Sequence, residues 1–140
     1  MAVFASAEEL YACIADMMET CSEDPGIGPK IQESNLVIRF IYQNPQSQIT
    51  VDAKNEPTKG YFNIFRGDNA LEADVTMEMT ADIAHQFWLG KVNLMAALTR
   101  GEMRAKGPIP AIMKMLPAIK PAFDIYRGHL QKTGFGHLAE

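Results

Sequence analysis

The chain has 140 residues, 47% hydrophobic and 21% charged, which suits one domain with a buried core. Its net charge of −4 argues against a nucleic-acid binder, and no apolar run approaches the roughly 20 residues of a membrane-spanning helix. The charge is uneven: residues 1–90 carry 5 basic and 14 acidic side chains and residues 91–140 carry 8 and 3, so the second part is the one that would face an anionic surface.

In chain order, Ser6-Ala7-Glu8-Glu9 reads as a capping box. Leu10, Ile14, Met17 and Cys21 then recur at helical spacing, with Asp16, Glu19 and Glu23 on the opposite face. The run Asp24-Pro25-Gly26-Ile27-Gly28-Pro29 breaks this helix, and residues 30–35 hold a helical turn. Residues 36–42 are apolar at nearly every position, with Leu36, Ile38, Phe40 and Tyr42 on one face and Val37, Arg39 and Ile41 on the other. That pattern predicts a central strand covered on both sides or nearly so. A buried Arg39 would need a partner; the expectation is an exposed or salt-bridged guanidinium, with a lipid carboxylate or phosphate as the other candidate. Residues 48–53 and 60–65 predict two more strands on short turns, completing an antiparallel meander.

Residues 73–79 alternate Ala73, Val75, Met77 and Met79 against Asp74, Thr76 and Glu78, which predicts a fourth strand. Thr80 caps a short helix with Asp82 in its first turn. Gly90 ends that helix and Gly101 ends the next. Residues 102–106 alternate again as a fifth strand. Past Gly107-Pro108, three prolines (Pro110, Pro117, Pro121) predict only short helices with sharp kinks. Phe123 and Tyr126 belong to a last helix that ends at Gly128 or Gly134.

No arrangement of catalytic groups emerges. His85, His129 and His137 lack metal-ligand spacing and read as surface or satisfied-core histidines, so no metal is expected. Cys13 and Cys21 lie about 12 Å apart on one helix, too far for a disulfide, and acidic neighbours raise a thiol pKa. Gly26-Ile27-Gly28 lacks the third glycine of a phosphate loop, and no serine has a Gly-x-Ser-x-Gly setting. Asp52, Asp74 and Glu78 read as solvated. No catalytic residue and no cofactor are therefore expected. The chain's unusual feature is methionine: 9 in all, with Met77, Met79, Met95, Met103, Met113 and Met115 close together in sequence. Methionine re-packs easily, which suits both a core and a cavity for varied apolar ligands.

The stretch Met79-Thr80, Asp82, Gly90-Lys91, Ala96-Ala97, Gly101 and Gly107 resembles the sterol carrier protein 2 sterol-binding domain family. The likeness runs without a gap over residues 90–115, and more weakly back over 36–65 to the first helix. It departs at Asn93-Leu94, where the family often has proline after the asparagine, and at Pro108, where it often has Asp or Asn. The resemblance implies a stand-alone, bacterial-type domain over residues 1–140. Its implied fold is α+β: a five-stranded mixed sheet in the order 3-2-1-4-5, covered on one face by helices. It implies non-catalytic binding, and transfer, of a fatty acid, acyl chain, sterol-like or isoprenoid lipid in a hydrophobic tunnel of a few hundred Å³. On the sheet the expected lining is Ile38, Phe40, Val51, Val75 and Met77. Facing them are Phe87, Trp88, Leu94 and Leu98, then Met103, Ile112, Met113, Leu116 and Phe123. The alternative is an accessory or scaffold module of a lipid or quinone biosynthesis assembly. Residues 109–132, with Lys114, Lys120, Arg127 and Lys132, are expected to act as a lid that touches an anionic membrane transiently. The other partners expected are a small apolar ligand and a second copy of the chain, with no nucleic acid. An N-terminus without a basic region and a C-terminus that is not Ser-Lys-Leu make the cytoplasm the expected location.

Overall fold

The computed structural model of the chain describes residues 2–139; Met1 and Glu140, which the expected 1–140 domain includes, lie outside the described residues. Five strands make one sheet in the order β3-β2-β1-β4-β5. They are β1 (Val37–Gln43), β2 (Ser47–Asp52), β3 (Asn63–Arg66), β4 (Val75–Thr80) and β5 (Met103–Lys106). β1 runs antiparallel to β2 and parallel to β4, and the remaining pairs are antiparallel. The sheet is therefore mixed, with the order 3-2-1-4-5 that the resemblance implies. In the parallel register Ile38 stands beside Val75, Phe40 beside Met77 and Tyr42 beside Met79. Side chains two apart share a face, so these three pairs point together toward the helices.

β3 begins at Asn63, three residues later than the period predicts. The Tyr61 amide donates to the Ser22 carbonyl (2.7 Å), which ties the approach to β3 to the end of a helix and away from β2. Gly28 is needed nearby, because a Cβ there would run into the Tyr61 ring.

The Ser6 hydroxyl accepts the Glu9 amide (3.2 Å) at the start of α1 (Ala7–Leu10). A π-helical turn (Tyr11–Ala15) joins it to α2 (Asp16–Glu23). The wider turn lets three consecutive residues, Cys13, Ile14 and Ala15, all be buried. The Asp24 carboxylate accepts the Gly26 and Ile27 amides (2.7 and 3.2 Å), and α3 (Gly28–Gln32) follows.

Thr80 caps α4 (Ala81–Trp88) by accepting the Ile83 amide (3.2 Å), and Asn93 caps α5 (Leu94–Arg100) by accepting the Ala96 amide (2.9 Å). Leu94 is thus the first helical residue, a position that also tolerates the family's proline. Pro108 precedes α6 (Ile109–Lys132), which has no side-chain cap.

α6 corrects the expectation of short, kinked helices: it is one helix of 24 residues, and it ends just before Gly134. Pro110 lies in its first turn, where no intrahelical donor is lost. Pro117 and Pro121 are exposed on one stripe with Lys114 and Asp124. The carbonyls they leave unpaired, at Met113 and Pro117, sit on the water side, where solvent replaces the missing amide.

Two expectations for the opposite sheet face are also corrected. Arg39 is neither exposed nor salt-bridged: it donates to Thr50 Oγ1 (3.2 Å), Asn69 Oδ1 (2.8 Å) and the Leu71 carbonyl (2.6 Å). Asp52 is buried, not solvated, and accepts the Lys54 and Asn55 amides (2.9 and 3.0 Å) and Asn55 Nδ2 (2.9 Å). Burial pushes its carboxyl up, and those hydrogen bonds more than reverse the effect. Asp74 is half-buried and holds the Val37 amide (2.9 Å) and Lys54 Nζ (2.9 Å).

Candidate functional site

Between the sheet and the helices lies a cavity of about 100 Å³. The sheet supplies its floor: Ile38, Phe40 and Tyr42 of β1, Val51 of β2, Met77 and Met79 of β4, and Met103 of β5. α2 and α3 close one side with Met17, Met18, Cys21 and Ile31, joined by Phe62 just before β3. α4 and α5 add Phe87, Trp88 and Leu94. α6 forms the remaining wall with Ile112, Met115, Leu116, Ile119 and Ala122. None of these twenty side chains is charged.

Ten of the fourteen residues expected around a ligand stand on this wall: Ile38, Phe40, Val51, Met77, Phe87, Trp88, Leu94, Met103, Ile112 and Leu116. Four do not. Val75 is fully buried in the core, on the same sheet face but outside the lining. Leu98 and Met113 are half-buried on α5 and α6. Phe123 packs edge-on against Phe87 (5.9 Å between centroids) and Trp88 (6.4 Å) and stands behind the wall. The expected volume of a few hundred Å³ is also corrected: the side chains of the two layers leave about 100 Å³ between them.

Sequence reasoning missed the whole contribution of α2 and α3. Their apolar stripe was legible, but nothing in a stripe says which part of a sheet it covers. Tyr42 and Met79 were within reach, since each continues the period-two face of residues already chosen.

Tyr42 is fully buried, and its hydroxyl has no hydrogen-bond partner among the described residues. Burial, and then the neighbouring Tyr11, pushes its phenol up, so it stays protonated. Cys21 on the wall donates to the Met17 sulfur (3.6 Å). Burial, reinforced by Asp24, pushes its thiol up to about 12. Cys13 is raised to about 12 by burial, then by Glu9 and Asp16. Both are inert thiols at neutral pH. His85 lies outside the cavity and is fully engaged in the core, with Nδ1 2.7 Å from Tyr126 Oη and Nε2 2.9 Å from the Leu138 carbonyl. Among the described residues no cluster of three His, Cys, Asp or Glu is placed to hold a metal ion. Nor, among the described residues, is any helix long and apolar enough to cross a membrane.

Known structures share this architecture. The sterol carrier protein domain 2 of Helicoverpa armigera superposes with a TM-score of 0.62 at 18% identity, covering 81% of this chain and 89% of that one. Sterol carrier protein 2 from Yarrowia lipolytica, in its apo form, gives 0.59 at 18% identity, over 86% of this chain and 91% of that one. The UbiJ-SCP2 ubiquinone synthesis protein gives 0.56 at 15% identity, over 77% of this chain and 85% of that one. At such identities the likeness is one of fold. No curated protein sequence matches the chain. The family model of the SCP-2 sterol transfer family matches residues 16–120, which include all five strands, α2 to α5 whole and the first half of α6. By that match the chain belongs to the SCP-2 sterol transfer family.

Proposed function

We propose that this protein binds and carries a lipid in the cavity, without chemistry on it. Fatty acids, acyl chains, sterol-like and isoprenoid molecules are the candidate class. One observation carries the reading: a lining of twenty uncharged side chains around a void, in a chain of the SCP-2 sterol transfer family. Each Å² of apolar ligand surface withdrawn from water contributes ~25 cal/mol, before the costs of association. The void is small for a lipid, and the six methionines on its wall supply the compliance to enlarge it. The chain acts as one domain. The two cysteines are free, as a reducing compartment leaves them, which supports the cytoplasm. Lys114 and Lys120, exposed on α6 over the cavity, supply a transient contact with an anionic membrane.

Organic extraction of the purified protein, followed by mass spectrometry, tests the reading. A lipid present in near-stoichiometric amount is the expected result. An empty extract, together with no uptake from lipid vesicles, would favour the second reading, a scaffold module. The fold likeness to a ubiquinone synthesis protein and the small void keep that reading in play.

A further inference from the structure

The cavity wall is poor in groups that can hold a polar atom. Cys21 already faces the Met17 sulfur, and Trp88 brings an indole N–H. Tyr42 brings the hydroxyl that, among the described residues, is the one buried side-chain oxygen or nitrogen without a partner. Buried hydroxyls nearly always find one. Neither neighbouring phenol is its partner: the Tyr11 hydroxyl accepts the Gln48 amide (3.3 Å), and the Tyr126 hydroxyl is bonded to His85. The side chain that carries this orphan forms part of the floor of a cavity already read as a lipid site, beside Phe40 and Met79.

Charge narrows what it would receive. No Lys, Arg or His lines the cavity. The cation on β1, Arg39, lies on the other face of the sheet and is held by Thr50, Asn69 and Leu71. Arg127 donates to the Leu89 carbonyl. A carboxylate drawn inside would have no counter-ion, which is prohibitive for a buried anion. A neutral oxygen asks only for one donor.

We propose that the cavity selects uncharged lipids bearing a carbonyl or hydroxyl oxygen over ionised fatty acids, and that the Tyr42 hydroxyl donates to that oxygen. This rests on the lipid-binding reading and names its ligand class. The ligand's chain displaces the flexible Met77, Met103 and Met115, and its oxygen ends at Tyr42.

The test offers 2-tridecanone, tridecane and tridecanoate together from phosphatidylcholine vesicles at pH 8, and quantifies what the separated protein retains. The expected order is ketone, then alkane, then carboxylate. Tyr42→Phe should lower the ketone-to-alkane ratio by ~10-fold, the loss of one buried hydrogen bond. The native protein alone supplies a second readout should the variant not fold. The stretch of carbonyl-¹³C 2-tridecanone should shift to lower wavenumber on binding than in an alkane. Tridecanoate retained as well as the ketone, an unshifted carbonyl, or a ratio indifferent to Tyr42→Phe overturns the Tyr42 assignment and leaves lipid binding standing. Retention of none of the three overturns both.

Discussion

Tyr126 and Leu138 fix the protonation of His85. A carbonyl can only accept, so Nε2 carries the hydrogen toward Leu138, and Nδ1 accepts from the Tyr126 hydroxyl. Burial pushes the His85 pKa below its ordinary 6.5, against the opposing pull of Leu138 and Asp82. The folded state therefore binds this proton less readily than the unfolded chain. Its contribution to stability is complete above pH ~6.5 and is lost as pH falls below that value. The melting temperature should drop between pH 7.5 and 5.5. His85→Gln should melt lower throughout, by about 1–3 kcal/mol of stability, with a flatter pH dependence. An unchanged slope would show that other groups carry it. Met77, central on β4 and 4% exposed, faces the void. Met77→Trp should fill that space and weaken lipid uptake at least ~10-fold, with little change in melting temperature, because filling a void avoids overpacking. Uptake that survives in the folded variant would mean that Met77 is not on the ligand's path. Period-two patterning found Met77 because it reads which face a side chain takes. It could not find the Tyr42 orphan, since a missing partner is a property of three dimensions.

At the scale of the element, α6 divides at its prolines. Between residues 109 and 121 only Ile112 is buried, whereas Ala122, Tyr126 and Leu130 anchor the second half. Pro117 and Pro121 remove two backbone hydrogen bonds at the junction. The first half also forms the cavity wall through Ile112, Met115, Leu116 and Ile119. It is therefore the part of the enclosure with the least to lose on opening. Amides of residues 112–116 should exchange with solvent faster than those of residues 123–130, and faster than those of β1. Bound lipid should slow them. Uniform protection along α6 would make it a fixed wall. The lid we propose is thus the first half of the helix alone, and Arg127, tied to Leu89, is not among the cations proposed to meet a membrane. Counting prolines overstated the damage to this helix because it ignored where they point. The exposed stripe Lys114, Pro117, Pro121 and Asp124 was legible in the spacing, and it puts the lost hydrogen bonds in water. The strands were easier to read, because alternation in β4 and β5 directly records a sheet with one covered face.

Across the whole molecule, the pairing of β1 with β4 joins the two parts of the chain. Ile38 meets Val75 and Phe40 meets Met77 across 37 residues of sequence, in a parallel register that no local pattern specifies. The strand order came from the resemblance, and periodicity alone would have left the neighbours of β1 open. The same limit hid α2 and α3 from the site. Gly107 is needed at the far side of this pairing, because a Cβ there would strike the Asp74 carbonyl at the entrance to β4. The cavity lies on this seam, with α2 and β1 before it in sequence and β4, α4 and α6 after it. Neither part can then bury its apolar face alone, and unfolding should be one cooperative event. Trp88, the single tryptophan, stands on the cavity wall and reports its packing. Its fluorescence and the far-UV circular dichroism should follow one denaturation curve, and a bound lipid should move both by the same amount. If Trp88 instead changed at lower denaturant than the backbone signal, the cavity would open ahead of global unfolding. The helix layer would then be a separable unit resting on a sheet that stands without it.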